Sequence, residues 1–229
     1  MSASIVSQLV AKDYRLMRRV IATFAVVSVV CMAALYGVRG HVPNWVLLNV
    51  GFVMLLGPVG TCSIVVLMKT NVFEKEKSTQ PFIMSLPVTV KEFTRAKLLV
   101  NVPIFAAFWA VVTAVGFYFA FGLGLFPLGA VPFVTMIFLG VFVAYACILS
   151  TSLLTQSLGI TILAITLFEM ASSAYLTGIA WLGPIAQHIT GPVPVWNTAA
   201  IAIVAAQVCV IAGVLTATAL IQSTKRDFI

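Results

Sequence analysis

The stretch KTNVFEKEKSTQPFIMSLPVTVKEFTRAK, residues 69–97, decides the fold, because the sequence on both sides of it is almost entirely apolar. It holds nine of the 19 charged residues (13 Lys and Arg, six Asp and Glu) in a chain of 229 residues that is 62% hydrophobic and 8% charged. A charged side chain inside the hydrocarbon of a membrane is costly. This stretch, which we call the polar island, is therefore predicted to lie in water between two membrane spans.

Apolar runs of about 20 residues can cross a bilayer as helices, because each residue adds about 1.5 Å to a hydrocarbon path of about 30 Å. Six such runs predict an all-α polytopic membrane protein with a single transmembrane domain over residues 1–229. A soluble domain would instead carry about a quarter charged residues. The predicted spans are residues 20–38, 45–68, 98–121, 132–154, 158–180 and 198–221.

The basic residues are distributed asymmetrically between the two sides of this arrangement. Twelve of the 13 Lys and Arg residues precede the first span, lie in the island or follow the sixth span, and only Arg39 falls on the other side. The positive-inside rule assigns the basic side to the cytoplasm. We expect a multi-pass protein of the plasma membrane with both termini cytoplasmic. The net charge of +7 therefore reflects membrane insertion and does not predict nucleic-acid binding.

The first 19 residues carry apolar side chains at helical spacing, with the basic side chains mostly on other faces. This pattern predicts an amphipathic helix over residues 1–19 that lies on the cytoplasmic membrane surface. A plain basic segment leading into the first span is the alternative. The apolar positions are Ile5, Val6, Leu9, Val10, Leu16 and Met17.

Two connections between spans have distinctive sequences. Residues 155–157 form a tight polar turn between the fourth and fifth spans, predicted on the cytoplasmic side. Residues 181–196, on the outer side, are rich in Pro and Gly and are too broken to span the membrane. Trp181 and Trp196 bracket this segment, as interfacial anchors do. A short helix in the outer leaflet and an ordinary loop fit the segment equally well.

Local signals within the island indicate an ordered structure. Pro87 disfavours helix at Leu86. Thr89 and Glu92 then fit a capping box, which predicts a helix that begins near Val90 and continues into the third span. A short apolar cluster precedes the break, and we expect it to pack on the bilayer surface, on the following helix or in a groove of another protein. The cluster consists of Phe82, Ile83, Met84 and Leu86.

The segment from Glu76 to Lys97 resembles the loop between the second and third spans of ABC-2 type permeases, the membrane subunits of ATP-binding-cassette exporters. The shared pattern is an acidic-basic start, a hydrophobic-Ser-Leu-Pro-Val turn and a Lys at the head of the third span. Thr79 departs from it, since the family commonly has Gly there. Six spans, cytoplasmic termini, the amphipathic N-terminal helix and the broken outer segment after the fifth span extend the resemblance over the whole chain. The matching residues are Glu76, Lys77, Ser85, Leu86, Pro87, Val88 and Lys97.

The resemblance implies that the island forms a coupling helix that docks on a separate P-loop ATPase subunit. The chain has no GxxxxGK[ST] loop, so ATP and Mg²⁺ would be held by the partner, and this chain would be neither an enzyme nor the holder of a cofactor. Two ATPase subunits and two permease chains, identical or related, would form the exporter. The expected ATPase contacts are Glu74, Glu76, Lys77, Phe82, Ile83 and Met84, with Thr155 and Gln156 as secondary candidates.

A few residues inside the predicted spans are polar or break helices. Glu169 is an acidic residue near the middle of the fifth span, and Ser172 and Ser173 lie three and four residues further on. These residues are expected on the translocation path or at the permease–permease interface, or as a hydrogen-bonded group that holds two helices together. Pro58, after Gly57, predicts a kink in the second span, which is either a hinge or one of the ordinary kinks of membrane helices. Both residues are also expected on the translocation path or at the subunit interface.

No metal site or disulfide framework is predicted from the cysteines and histidines. The cysteines all lie inside apolar runs, without CxxC spacing, and are expected to be small buried hydrophobic residues. The two histidines have no third ligand near them in the sequence. These residues are Cys31, Cys62, Cys147, Cys209, His41 and His188.

The apolar spans suit a hydrophobic or amphipathic substrate such as a peptide, a drug or a lipid-like molecule. Three other classes of protein compete with the exporter. A transporter driven by an ion gradient usually has several charged residues near the midplane and repeated halves. A membrane enzyme needs a metal triad, a Ser–His pair or an Asp pair within the bilayer. Neither the pattern of such a transporter nor that of such an enzyme is visible in the sequence. A non-transporting scaffold or immunity subunit stays open, and stable partnership with an ATPase would separate these classes.

Overall fold

The computed structural model describes residues 2–38, 40–73, 89–124 and 126–224 of the chain. Within these residues the architecture is helical, and six of the helices are long and apolar enough to cross a membrane, as the sequence predicts. A seventh, short helix lies between the last two of them. The helices are α1 (Ser2–Val38), α2 (Asn44–Leu67), α3 (Val90–Phe117), α4 (Val131–Thr155), α5 (Leu158–Trp181), α6 (Gly183–Ile189) and α7 (Thr198–Thr224).

Three short turns of other helical types adjoin the long helices. A π-helical turn, Met68–Val72, extends α2 towards the island, and a second π-helical turn, Tyr118–Gly122, extends α3 at its other end. A 3₁₀ turn, Leu128–Ala130, leads into α4. Because single π-helical turns within longer helices are frequent at functional sites, the first of them directs attention to the junction between α2 and the island.

The N-terminal segment differs from the prediction. Residues 1–19 and 20–38 were expected to form a surface helix followed by a separate span, but α1 is one continuous helix from Ser2 to Val38. Residues 2–36 contain neither Pro nor Gly, so nothing in the local sequence ends the helix near residue 19. The predicted apolar face is also only partly buried: Leu9 and Met17 are buried, whereas Leu16 is 59% exposed.

The start of α3 agrees with the sequence. The Thr89 hydroxyl accepts a hydrogen bond from the Glu92 backbone N–H at 3.2 Å, and the Glu92 carboxylate accepts from the Thr89 backbone N–H at 3.0 Å. This reciprocal capping box fixes the first turn of α3. The helix then continues without interruption into the third apolar run, as predicted, although Pro103 lies within it.

α4 lies at the centre of the helix packing. Half of its most apolar window is buried, compared with 11% for α1, α5 and α7. It packs against α5 and α7 on one side and against α2 and α3 on the other, while α1, α2 and α3 pack against one another. Phe105 of α3 stacks on Tyr145 of α4 with ring centroids 3.9 Å apart, and Phe138 is fully buried beside them.

The segments at the end of the bundle opposite the island pack closely together. The outer segment 181–196 contains α6, so it forms the short helix that was one of its two predicted forms. The Gly129 backbone N–H donates to the Gly191 carbonyl at 2.9 Å, and a Cβ at Gly129 would lie only 2.1 Å from the His188 carbonyl oxygen. Glycine is therefore required where the 3₁₀ turn meets the end of α6.

Candidate functional site

The six island residues expected to contact an ATPase lie outside the residues that the structure describes, so their prediction stays a prediction. The structure does describe the two end parts of the island, namely the π-helical turn that ends at Val72 and the capped start of α3 at Thr89. The residues concerned are Glu74, Glu76, Lys77, Phe82, Ile83 and Met84.

A buried ion pair joins α1 to α3 beside the island. Lys97 Nζ donates to Asp13 Oδ2 at 2.8 Å, and the two side chains are 3% and 1% exposed. Asp13 Oδ1 lies 3.2 Å from Lys12 Nζ, an ion-pair distance without hydrogen-bond geometry. Lys97 also stands 5.1 Å from the centre of the Phe93 ring, a cation–π distance. Because both charges are out of water, each depends on the other to remain buried.

A neutral hydrogen-bond network continues from this pair into α2 and α4. Asn101 Nδ2 donates to the Lys97 carbonyl at 2.9 Å and to Thr70 Oγ1 at 3.2 Å. Tyr145 of α4 donates from its hydroxyl to the Asn101 carbonyl at 3.1 Å. Thr70 and Asn71 belong to the π-helical turn and are buried, and Asn71 Nδ2 has no hydrogen-bond partner within the described ranges.

We call Asp13, Thr70, Asn71, Lys97 and Asn101 the island junction. Apart from Asp13 of α1, its members lie at the two ends of the island: Thr70 and Asn71 at its start, Lys97 at its end and Asn101 just after it. The same end of α3 packs on α1 through a small apolar cluster of Leu9, Phe93 and Ala96. The chain therefore enters and leaves the island at one buried polar cluster on three helices.

The capping box at the first turn of α3 affects the pKa of the Glu92 carboxyl. The helix from Lys91 to Gly122 has 32 residues, which at 1.5 Å per residue is about 48 Å and exceeds the hydrocarbon thickness of about 30 Å. Its first turn, ahead of the predicted span 98–121, thus extends beyond the hydrocarbon. There the Glu92 carboxylate accepts hydrogen bonds from the Thr89 backbone N–H and from the Thr89 hydroxyl. Both lower the pKa of Glu92 below its ordinary value, and the backbone bond has the larger effect.

The turn between α4 and α5 was predicted as a secondary ATPase contact. The structure shows a tight connection there, in which Gln156 adopts the left-handed conformation with φ 47° and its N–H bonds to the Ser152 carbonyl. Thr155 is exposed and Gln156 half-buried. The end of α7 is fastened next to this turn, since Gln222 Nε2 donates to the Leu153 carbonyl at 2.7 Å.

Glu169 lies on the outer surface of the chain. Its side chain is exposed on α5, as is Ser173, while Ser172 is half-buried. The Ser173 hydroxyl donates to the backbone carbonyl of Glu169 at 3.2 Å and not to its carboxylate. Within the part of the chain that the structure describes, the carboxylate contacts no second helix, and both the functional and the structural role of this residue stay predictions.

The predicted hinge in the second span is a continuous helix in this conformation. α2 runs from Asn44 to Leu67 with Pro58 inside it. A Cβ at Gly57 would meet nothing within 4 Å, so this glycine is not required for close packing of helices within the chain. The role of Gly57 and Pro58 as a hinge stays a prediction.

A second set of polar contacts, between α4 and α7, was not anticipated from the sequence. Gln207 Nε2 donates to the Met136 carbonyl at 2.9 Å and lies 2.6 Å from the Tyr175 hydroxyl of α5. The Thr218 hydroxyl donates to Ser150 Oγ at 2.7 Å. These contacts and that of Gln222 with the Leu153 carbonyl form what we call the α4–α7 seam. All of its groups are uncharged.

The sequence does contain signals for the buried polar residues that the sequence analysis did not single out, and these signals are visible once the helices are known. Asp13 lies four residues after Leu9 and four before Met17, so it falls on the buried stripe of α1. Asn101 and Gln207 are single amide side chains inside otherwise apolar spans, where polar groups usually bond to a neighbouring helix. The burial of each of these residues could have been predicted from the sequence, but the residue to which it bonds on another helix could not.

No group of three or more His, Cys, Asp or Glu side chains able to hold a metal ion occurs among the described residues. Of the histidines, His41 lies in the turn after α1, and His188 lies in α6 with its ring 3.3 Å from the Gln187 amide. What the described residues offer instead is a set of buried hydrogen bonds and the buried Asp13–Lys97 ion pair, which hold helices together.

Comparison with protein-family models, with curated proteins and with solved structures finds no match for this chain.

Proposed function

We propose that the chain is the transmembrane subunit of an ABC exporter, which forms a translocation path for a hydrophobic or amphipathic substrate and couples to a separate P-loop ATPase. The support is the sequence resemblance of the island to the coupling loop of ABC-2 permeases, together with six helices long enough to cross a membrane. In this proposal the ATPase subunits hold ATP and Mg²⁺, and the island faces the cytoplasm.

The observation that carries the proposal is the attachment of the island to the bundle. Thr70 on its entry side and Asn101 on its exit side hydrogen-bond to each other, and Lys97 is fastened to Asp13 of α1. A push on the island would therefore act on α1, α2 and α3 together, because buried polar contacts link all three. A loop tethered only at its chain ends would not transmit such a movement.

A second permease chain, identical or related, is part of this proposal. α5 is only slightly buried within one chain, and its exposed surface includes the Glu169 carboxylate. A charge facing lipid is costly, so contact with another permease chain, or with the path between two of them, would account for its position.

Disulfide trapping of Ser173→Cys in the native membrane tests this contact, with Ala110→Cys of α3 as an exposed control position.

The test of the exporter is co-purification of the tagged chain from its native membrane in mild detergent, with mass spectrometry of the bound proteins. We expect a P-loop ATPase in near-equal amount. The variant Glu76→Lys/Phe82→Ala should lose it. The matched control Arg15→Glu/Leu16→Ala, which also reverses one charge and removes one large apolar side chain at exposed positions, should keep it.

The possible outcomes separate the competing classes of protein. Equal recovery of the ATPase by both variants would contradict docking through the island, while leaving the exporter itself in place. Recovery of the wild-type chain without any P-loop ATPase would contradict the exporter and favour a transporter driven by an ion gradient or a scaffold subunit. In that case transport by Glu169→Gln in proteoliposomes becomes the next measurement.

A further inference from the structure

A groove runs along the surface between the N-terminal part of α1 and the start of α3. Its upper part has a volume of about 870 Å³. A second hollow of about 340 Å³ continues from it and shares Val10, Tyr14 and Leu99 with it. Beyond these three, the upper part is lined by Val6, Ser7, Ala11, Thr89, Lys91, Glu92 and Arg95, and the lower by Ile21, Val100, Pro103, Ile104, Ala107 and Phe108.

The upper part of the groove is basic. Lys91 and Arg95 are exposed and line it directly. Arg18, also exposed, follows Tyr14 by four residues and precedes Ile21 by three, so it lies on the same stripe of α1. Glu92 is the one acidic side chain of the lining, and its carboxylate already accepts two hydrogen bonds from Thr89. The positive charges are therefore the ones available to a ligand.

The lower part of the groove is apolar and lies within the helical segments able to cross a membrane, Ile5–Val38 and Lys91–Gly122. Arg95 and Phe108 are 13 residues apart on α3, which is about 20 Å of helix. One leaflet contributes about 15 Å of hydrocarbon. The groove thus extends from a basic surface at one membrane interface through most of the depth of one leaflet.

The contacts between α1 and α3 hold the groove open. The two helices are joined on their buried sides by the Asp13–Lys97 ion pair and by the Leu9–Phe93 cluster. On the opposite sides Tyr14 is 55% exposed and Leu99 is 47% exposed. Ala107 is small and Pro103 is short, so neither closes the lower part.

We propose that this groove binds one anionic phospholipid of the surrounding bilayer. Its phosphate lies between Arg95 and Lys91, which can donate charge-assisted hydrogen bonds to phosphate oxygens. One acyl chain follows the apolar lower part towards Phe108. The order of charge and apolar surface along the groove matches that of an anionic lipid oriented with its headgroup at the interface. The site is independent of the exporter proposal, because it requires neither an ATPase nor transport.

The headgroup contact is tested by native mass spectrometry of the intact chain released from bilayers containing equal phosphatidylglycerol and phosphatidylcholine. We expect one retained lipid, with phosphatidylglycerol strongly preferred. The variant Lys91→Gln/Arg95→Gln should lose about fivefold of that preference per basic residue, or roughly 25-fold in all. The control Arg19→Gln/Lys69→Gln removes two exposed charges that do not line the groove and should leave the preference unchanged.

The acyl-chain contact is tested separately by filling the lower part. Ala107 and Ala110 are both exposed residues of α3, but only Ala107 lines the groove. We expect Ala107→Phe to release the lipid and Ala110→Phe to retain it, with all basic residues in place. Equal retention by these two variants, equal retention of the two phospholipids by the wild type, or a lipid-free dimer of the chain would each overturn the proposal.

Discussion

The island junction and the α4–α7 seam both fasten helices through buried polar groups, but they differ in charge. The junction has a full ion pair, with Lys97 and Asp13 2.8 Å apart. The seam has only neutral contacts, from Gln207, Thr218 and Gln222 to carbonyl and hydroxyl groups. A buried ion pair is costly when one partner is lost, whereas a hydrogen bond between membrane helices contributes little when it is removed. Breaking the ion pair of the junction should therefore cost more than removing any single contact of the seam.

The largest expected effect tests this difference at the ion pair. Lys97→Met leaves the buried Asp13 carboxylate without its buried partner and with only the partly exposed Lys12 ammonium near it, and the free energy of unfolding should fall by about 3 kcal/mol. The measurement is reversible unfolding in mixed SDS micelles, followed by far-UV circular dichroism. Lys12→Met is the matched control. Its ammonium is near the same carboxylate but its side chain is 43% exposed, so its removal should change stability by less than about 1 kcal/mol.

The double variant Asp13→Leu/Lys97→Met sharpens the interpretation. It removes both charges, and we expect it to regain most of the stability that Lys97→Met loses, because apolar replacement of a whole buried pair is often neutral. Stability as low as that of Lys97→Met would show that packing of the lysine stem, and not the unpaired charge, causes the loss.

The second prediction concerns the neutral part of the junction. Asn101→Leu removes the amide that donates to the Lys97 carbonyl and to Thr70 Oγ1. The free energy of unfolding should fall by about 2 kcal/mol, since the Thr70 hydroxyl and the Lys97 carbonyl remain buried with fewer partners. Asn197→Leu is a comparison at the opposite end, where a half-buried amide oxygen accepts from the Ala200 N–H in the first turn of α7. A smaller effect at Asn101 than at Asn197 would contradict a tight junction.

The sequence predicts the helices well and their contacts poorly. Hydropathy locates α4, α5 and α7 to within three residues, because burial in lipid depends only on local composition. The capping box at Thr89 is equally local, and it is confirmed. The surface helix over residues 1–19 is not confirmed as an element of its own, since α1 runs without interruption from Ser2 to Val38.

Contacts between residues far apart in the sequence could not be predicted, and the reason is physical. Asp13 and Lys97 are 84 residues apart, and only the packing of α1 on α3 brings them together. The position of Glu169 could be predicted to be intramembrane, but whether it faces inward or outward depends on which side of α5 packs on α4. A span that is apolar all round carries no signal for that side.

The third prediction addresses the seam where three helices meet. Gln207→Leu removes the donor to the Met136 carbonyl and the partner of the Tyr175 hydroxyl, which should lower the free energy of unfolding by about 1 kcal/mol. Unfolding in mixed micelles again provides the measurement. A loss as large as that of Lys97→Met would remove the contrast between seam and junction. Gln187→Leu, in an exposed position of α6, serves as the control.

The smallest effect is expected at the hydroxyl pair of the seam. Thr218→Val keeps the shape of the side chain and removes the 2.7 Å hydrogen bond to Ser150, along with the internal bond to the Val214 carbonyl. We expect a loss of about 0.6 kcal/mol, because the same hydroxyl would find a partner in its own helix even in separated helices within the membrane. Ser150→Ala should cost a similar amount, and the two changes combined should cost less than their sum. Strict additivity would mean that the two hydroxyls act independently and that the hydrogen bond between them does not contribute to stability.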